Sequence, residues 1–284
     1  MADNLRTVMQ HTLTRWREDL APSWQAFFAD CEPDFAAIDP ALQFDSAHPV
    51  IPARKATPLA DAPPGAHVFR AFDGVDPAGV RVIVIGQDPY PRIERATGRA
   101  FEDGALTDWR GSVAQSLQHL MQSALALRLG REELARGPGG WSVIAQELTN
   151  SQIAIEPLGA YFDRLQASGV LFVNAGWTLT RFVRGGGPEQ RAHIALWRPL
   201  MTRLLTGLSA RAEGSLVFLL LGNFAQDLFA ASGAQAVAVA HGKWGSAVRM
   251  VAHAHPSALA YFASNPLAEV NAALDAMGEA PLTW

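Results

Sequence analysis

The chain contains one cysteine and two lysines. Cys31 alone excludes an internal disulfide and a cysteine-rich zinc site. Because Lys55 and Lys243 are the only lysines, arginine carries the remaining positive charge, as is typical of GC-rich genomes. Charged residues make up 18% of the 284 residues, and the net charge is −4. This composition argues against a generally basic nucleic-acid binder, although a local basic surface is compatible with it.

Long apolar runs are also missing. No segment reaches the roughly 18 consecutive apolar residues of a membrane span, so we expect no membrane association. The first residues, MADNLRTVMQ, lack the apolar region of a secretory signal, which predicts a cytoplasmic protein. Apolar residues make up 49% of the chain, which is enough for a globular protein with a sizeable core.

Buried strands alternate with helical patterns along the chain. Nearly continuous apolar segments predict strands, and apolar periodicity near 3.6 residues predicts helices between them. The predicted strands are 80–86, 169–175, 215–222 and 247–254, and the predicted helices are 112–129, 189–208, 224–231 and 266–278. We therefore predict an α/β fold: a single domain with a central four-stranded parallel sheet and helices on both faces, in three layers. Residues 1–64, helices followed by a proline-rich connector, are expected to pack on a core formed by 65–284.

Polar residues follow each predicted strand at its carboxyl end. Ligands of open α/β sheets bind in the crevice beyond these ends, so we expect the polar residues to line one cleft. They are Gln87, Asp88 and Tyr90 after the first strand, Asn174 after the second, Asn223 after the third, and His253, His255 and Ser257 after the fourth.

The residue types in this cleft suit the separation of a planar anion from a cationic centre. The Asn174 amide offers a donor and an acceptor side by side, which matches an amide or nucleobase edge. His255 can donate a hydrogen bond to a developing anion. Asp88 can stabilise a cation or orient a water, and Phe101 offers a stacking surface. Each residue alone is more often a cap, a turn former or core, and only their coincidence at strand ends favours an active site with its reaction undecided.

Two other chemistries are disfavoured. His253 and His255 could form half of a metal site, but Asp88 is the only obvious further ligand, so we predict no metal. There is no G-x-S-x-G turn for a serine hydrolase. We interpret the glycines of 185–188 (GGGP) as a flexible surface turn, because we do not expect them to follow a strand and open a helix as a phosphate loop would.

Four motifs resemble, in order and spacing, those of family 1 uracil-DNA glycosylases. They are GQDPY at 86–90, LFVNAGWTLT at 171–180, FLLLGNFAQ at 218–226 and HPSALA at 255–260. The resemblance covers roughly residues 65–284. It implies hydrolysis of the N-glycosidic bond of deoxyuridine in DNA after base flipping, without a metal or cofactor, by a monomer.

The resemblance also implies a role for each matching residue. Asp88 would orient water and offset positive charge on the sugar, and His255 would stabilise the departing uracil anion. The implied uracil-binding residues are Gln87, Tyr90, Phe101 and Asn174, with Tyr90 excluding the thymine methyl group. The implied DNA-binding residues are Ser112, Asn223, Ser257 and Leu259, with Leu259 as the apolar wedge that fills the gap left by the flipped base.

Departures from the family pattern fall mostly in the DNA-handling loops. Pro91 replaces a histidine, Asn223 replaces a serine, and Ala258 and Ala260 replace a proline and a serine of the wedge loop. Each lost hydroxyl removes one phosphate contact, worth about 0.5–1.5 kcal/mol. Candidates to compensate for them are Arg92, Arg95, Arg99 and Arg110, and Trp109 is a candidate for stacking on DNA.

The sequence leaves three functions open. The first is a uracil-DNA glycosylase that acts on uracil-containing DNA. The second is a glycosylase of the same fold with an altered base or DNA preference. The third is a catalytically silent DNA-binding module, although such a module has no need of Asp88, Asn174, Phe101 and His255 together.

Overall fold

A computed structural model of the protein describes residues 4–211 and 213–284. Its centre is a sheet of four parallel strands: β1 (Val82–Gly86), β2 (Val170–Asn174), β3 (Leu216–Leu221) and β4 (Val248–His253). The strands lie in the order β2-β1-β3-β4. All four predicted strands are confirmed, with ends that differ by one or two residues.

Nine α-helices surround the sheet in the described parts of the chain. They are α1 (Leu5–Thr12), α2 (Pro22–Phe27), α3 (Gln115–Arg128), α4 (Gly140–Thr149), α5 (Leu158–Ala167), α6 (Pro188–Ala210), α7 (Asn223–Ser232), α8 (Ala234–Ala240) and α9 (Pro266–Asp275). Short 3-10 turns cover Trp16–Asp19, Phe35–Ala37, Arg70–Phe72, Pro77–Gly79, Glu132–Ala135 and Leu259–Ala263. Helices α4, α5 and α8 were not predicted from the sequence.

The two faces of the sheet bury separate apolar clusters, because successive side chains of a strand point to opposite faces. Ile83 and Ile85 of β1 pack on one face with residues of α1 and α6. Val82 and Val84 pack on the other face with residues of α3, α5 and α9. The arrangement confirms the predicted single domain of three layers. Among the residues described, none of the helices has the length and apolar content that a bilayer crossing requires.

The connectivity of the sheet determines where a ligand can bind. From β1 the chain crosses to β2 on one side, and from β3 it crosses to β4 on the other side. β1 and β3 are neighbours, so the chain reverses direction between them and leaves a crevice at their carboxyl ends. Asp88 follows β1 at this point, and Asn223 follows β3.

Candidate active site

The carboxyl ends of the strands open into one cavity of about 620 Å³. This volume is within the range of small-molecule sites, roughly 300–1,000 Å³. All six residues assigned from the sequence to catalysis or uracil binding line it: Gln87, Asp88, Tyr90, Phe101, Asn174 and His255. The strand-end residues Asp88, Asn174 and His255 are therefore brought together with Phe101, as predicted.

Asn174 is the last residue of β2 and pairs in register with Gly86 of β1. Its side chain lies over Gly86, where an added Cβ would overlap the amide oxygen. Asn174 is 4% exposed, and among the described residues its amide has no protein hydrogen-bond partner. Because Asn174 lines the cavity, this amide is available to a ligand there.

Asp88 lies in the turn after β1, where the backbone is held to the end of β2. The Gly176 N–H donates to the Gln87 carbonyl at 2.9 Å. The carboxylate Oδ2 accepts from Gln190 Nε2 at 3.3 Å, whereas the buried Oδ1 has no hydrogen-bond partner among the described residues. Burial raises the pKa of Asp88, and hydrogen bonds from Gln190 and Gln87 oppose that rise. One carboxylate oxygen is thus fixed by the protein and the other is available to water or substrate.

His255 lies two residues beyond the end of β4 and packs over Gly222, where a Cβ would come within 2.8 Å of the His255 Cβ. The Ser257 backbone N–H donates to His255 Nδ1 at 3.1 Å, and the Ser257 hydroxyl lies 2.7 Å from the same nitrogen. Because a backbone N–H can only donate, Nδ1 is the acceptor and the proton of the neutral ring is on Nε2. Partial burial lowers the pKa of His255, which favours this neutral form.

Phe101 and Tyr90 are two of the aromatic residues that line the cavity. The Phe101 backbone is left-handed, with φ of 66°, a conformation uncommon outside glycine. The preceding Ala100 N–H donates to the Phe172 carbonyl of β2 at 3.2 Å, which holds this segment against the sheet. Burial raises the pKa of Tyr90 to about 12, so its hydroxyl is neutral at physiological pH.

Gln190 is a site residue that the sequence reasoning missed. It is 2% exposed in the first turn of α6, and its side-chain oxygen accepts from the N–H groups of Val183 and Gly187 at 2.9 and 3.0 Å. Its amide nitrogen donates to Asp88, so one side chain joins the glycine loop to the carboxylate. Nothing in the sequence relates Gln190 to a residue 102 positions away.

Gly185 and Gly186 are exposed, as the interpretation of 185–188 as a surface turn predicts, but the expectation that the segment does not open a helix was wrong. The segment does open a helix, because Gly187 is the N-cap of α6, and Gly185 and Gly186 line the cavity. The exposed side chain of Phe182 also borders the cavity. The sequence signal for the helix start, proline at N1 followed by glutamine at N3, was available.

The predicted DNA-contacting residues lie outside the cavity lining. Ser112, Asn223, Ser257 and Leu259 are all exposed. Leu259 is 77% exposed, the largest value among the exposed apolar side chains. Ser116 of α3, not Ser112, reaches the cavity lining. The four residues remain predicted DNA contacts.

Three of the proposed auxiliary DNA contacts are bonded to other residues of the protein, although Arg99 also lines the cavity. Arg99 is 7% exposed and pairs with Asp163 at 2.7 Å, and Arg95 pairs with the buried carboxylate of Asp103. Trp109 is 5% exposed and donates its indole N–H to the Glu156 carbonyl. Exposure could not be read from the sequence, and only Arg92 and Arg110 of the predicted arginines are exposed.

The histidine pair considered for metal binding is separated. His253, the last residue of β4, is buried, and its Nε2 lies 3.1 Å from the Ser264 hydroxyl, outside the cavity lining. Within 4–211 and 213–284, no group of three or more histidine, cysteine, aspartate or glutamate side chains is arranged to hold a metal ion.

Comparison with known proteins identifies the family. The model of the uracil DNA glycosylase superfamily matches residues 72–277. A uracil-DNA glycosylase of Bordetella petrii is 30% identical over 281 residues, covering 96% of this chain and 90% of the relative. One from Lacticaseibacillus casei is 29% identical over 222 residues, 77% of each chain.

Solved structures show the same fold at lower identity. The crystal structure of the wild-type UNG from Nitratifractor salsuginis is 22% identical, with a TM-score of 0.58 over 93% of this chain and 94% of that one. The mimivirus uracil-DNA glycosylase is 15% identical, with a TM-score of 0.62 over 100% of this chain and 94% of that one. The family model matches most of this chain, and a relative aligns with it almost end to end. The chain therefore belongs to the uracil DNA glycosylase superfamily.

Proposed function

We propose that the protein hydrolyses the N-glycosidic bond of deoxyuridine in DNA, releasing uracil and leaving an abasic site. The observation that carries this proposal is the Asn174 amide, which is 4% exposed and unpaired within the described residues beside Asp88 and His255. An amide without a protein partner on a cavity wall is available to pair with a ligand. Membership of the family and the names of its relatives support uracil as that ligand.

Recognition of the base follows from the walls of the cavity. The Asn174 amide oxygen would accept from uracil N3–H while its amide nitrogen donates to O4. The Phe101 ring would stack on the base. Tyr90 would occupy the space next to C5 and thereby reject the methyl group of thymine.

The chemical step would use Asp88 and His255 on opposite sides of the bond that breaks. The C1′–N1 bond breaks with its electron pair going to uracil N1 and delocalising onto O2, which accepts a hydrogen bond from His255 Nε2–H. The oxygen of a water bound by Asp88 Oδ1 then forms a bond to C1′, and the carboxylate takes the water proton. Gln190 would keep Asp88 in place by donating to its other oxygen.

Access to the cavity would require the nucleotide to leave the duplex, at a cost of a few kcal/mol. Ser112, Asn223 and Ser257 would contact phosphates at the rim, and Leu259 would enter the space left in the base stack. We propose that the protein acts in this way as a monomer in the cytoplasm.

The experiment is a uracil-release assay on uracil-containing oligonucleotides with wild type, D88N and H255A. We expect release by wild type and a loss of about 10²–10⁴-fold in each variant, the usual contribution of a general acid or base. D30N, which changes an exposed aspartate outside the cavity, serves as the matched control. Binding of uracil DNA without any release by wild type would favour the silent module, and release of another base would favour an altered substrate.

A further inference from the structure

The Arg95 side chain lies on the ring of Tyr90. Its guanidinium carbon is 4.4 Å from the ring centroid, a distance typical of a cation–π contact. Tyr90 in turn lines the cavity at the turn after β1, between Pro89 and Pro91. The ring therefore has the cavity on one side and a charged planar group against it.

The Arg95 guanidinium is fixed by Asp103. Arg95 Nε lies 3.0 Å from each carboxylate oxygen of Asp103, and a terminal nitrogen makes a further bond to it. Asp103 is 3% exposed, and its Oδ1 also accepts from the Ala105 backbone N–H at 3.2 Å. These bonds raise the pKa of Arg95, so the guanidinium stays charged. A forked pair to a buried carboxylate leaves the group little freedom to swing away.

Backbone contacts also close the loop that runs from Arg95 to Gly104. The Gly104 N–H donates to the Arg95 carbonyl at 3.0 Å, and Ala96 and Asp103 form an isolated antiparallel bridge. Phe101 lies inside this loop, and Tyr90 lies before it and contacts it through the Arg95 guanidinium. A phosphate-binding role for Arg95 fits less well, because Asp103 already neutralises its charge.

We propose that the Arg95–Asp103 pair positions the Tyr90 ring and thereby sets the selectivity against bases substituted at C5. The proposal rests on the proposed function. A ring excludes a methyl group only while it cannot move away, and here the fixed guanidinium packs on the ring and restricts its movement. Rejection of one methyl group by a pocket is typically worth about 10–200-fold, and we assign much of that factor here to Arg95.

The test compares excision rates of wild type, R95M and D103N on the same oligonucleotide carrying uracil, 5-fluorouracil, 5-hydroxymethyluracil or thymine. For each base, the single-turnover rate of a variant is divided by the rate of wild type. This division cancels the electronic effect of the substituent on the base. We expect R95M and D103N to raise the rate on thymine and 5-hydroxymethyluracil relative to uracil by at least about tenfold, with little relative change for the small fluorine. R203M is the matched control, since Arg203 lies 5.1 Å over the Phe27 ring away from the cavity.

The outcomes separate three failures. An equal loss on all four bases, or no change in their ratios, would overturn the positioning role of Arg95. If Y90A also leaves the ratios unchanged, Tyr90 is not the wall and the inference falls with it. If wild type releases no uracil, the proposed function itself fails. If a thermal melt shows that R95M does not fold, R95K replaces it in the test, because lysine keeps the charge and loses the forked pair with Asp103. We then expect the thymine-to-uracil rate ratio of R95K to lie between those of wild type and D103N. A ratio equal to that of wild type would overturn the positioning role.

Discussion

The protonation state of His255 is determined by its own turn. The Ser257 N–H and hydroxyl both lie at Nδ1, and partial burial lowers the pKa of the ring. A second proton would have to displace the Ser257 N–H from Nδ1. The neutral ring with its proton on Nε2 is therefore the form that reaches the cavity near neutral pH.

This arrangement predicts the pH dependence of excision. Activity needs Asp88 ionised and His255 neutral, and both conditions fail as the pH falls. Burial raises the pKa of Asp88 above 3.8 and lowers the pKa of His255 below 6.5, so we expect the Asp88 limb above pH 3.8 and the His255 limb below pH 6.5. Single-turnover rates from pH 4 to 8 would measure it, and H255Q, which cannot titrate, would show the Asp88 limb alone. A limb centred at or above pH 6.5 in wild type that is lost in H255Q would contradict the account.

At the scale of elements, glycines of adjacent strands and turns make room for the functional side chains. Asn174 lies over Gly86, Asp88 Oδ1 lies 3.3 Å from where a Gly176 Cβ would be, and His255 packs over Gly222. The strand ends can approach closely because these positions carry no side chain.

Gly86→Ala should therefore impair catalysis through Asn174. The new Cβ would overlap the Asn174 amide oxygen and come within 2.8 Å of the Ala100 Cβ. The Asn174 amide, which we propose binds the base, would therefore be displaced. A displacement of about 1 Å can cost roughly 10²-fold in rate, and we expect a loss of that order in uracil release. Gly137→Ala is the control, because nothing lies within 4 Å of its Cβ position. Equal activity of G86A and G137A would show that uracil release does not depend on this position of the Asn174 amide.

Much of the element-level arrangement could be predicted from the sequence. Four apolar segments identified the strands, and the polar residues after them identified the cleft. Gln190 and Arg95 could not be assigned, since their roles arise from contacts with Asp88 and Tyr90 that only the folded loops create. The burial of Arg99 and Trp109 was equally hidden, because a loop sequence does not reveal which side chains turn inward.

At the scale of the whole molecule, an acidic protein presents its cavity within a rim of exposed polar and apolar residues. The net charge of −4 gives no general attraction to DNA, so binding depends on this local surface. In the described parts of the chain, Leu259 is the most exposed of the large apolar side chains, so it contributes little to the core.

Leu259→Ala should impair excision from double-stranded DNA without destabilising the protein. We expect the free energy of unfolding to change by less than about 0.5 kcal/mol, as for most surface substitutions. Excision from double-stranded DNA should fall more than excision from single strands, because only a duplex has a stacked gap to fill. Thermal melts and parallel assays on both substrates measure this. Equal losses on the two substrates would contradict the wedge role.

The most direct measurement of the central claim is the time course of uracil release from a single-stranded uracil oligonucleotide by stoichiometric enzyme. We predict complete release by wild type and a rate lower by about 10²-fold or more in D88N at equal thermal stability. Absence of release by wild type, or equal rates in the two proteins, would contradict the assignment of this cavity as a uracil-excising site.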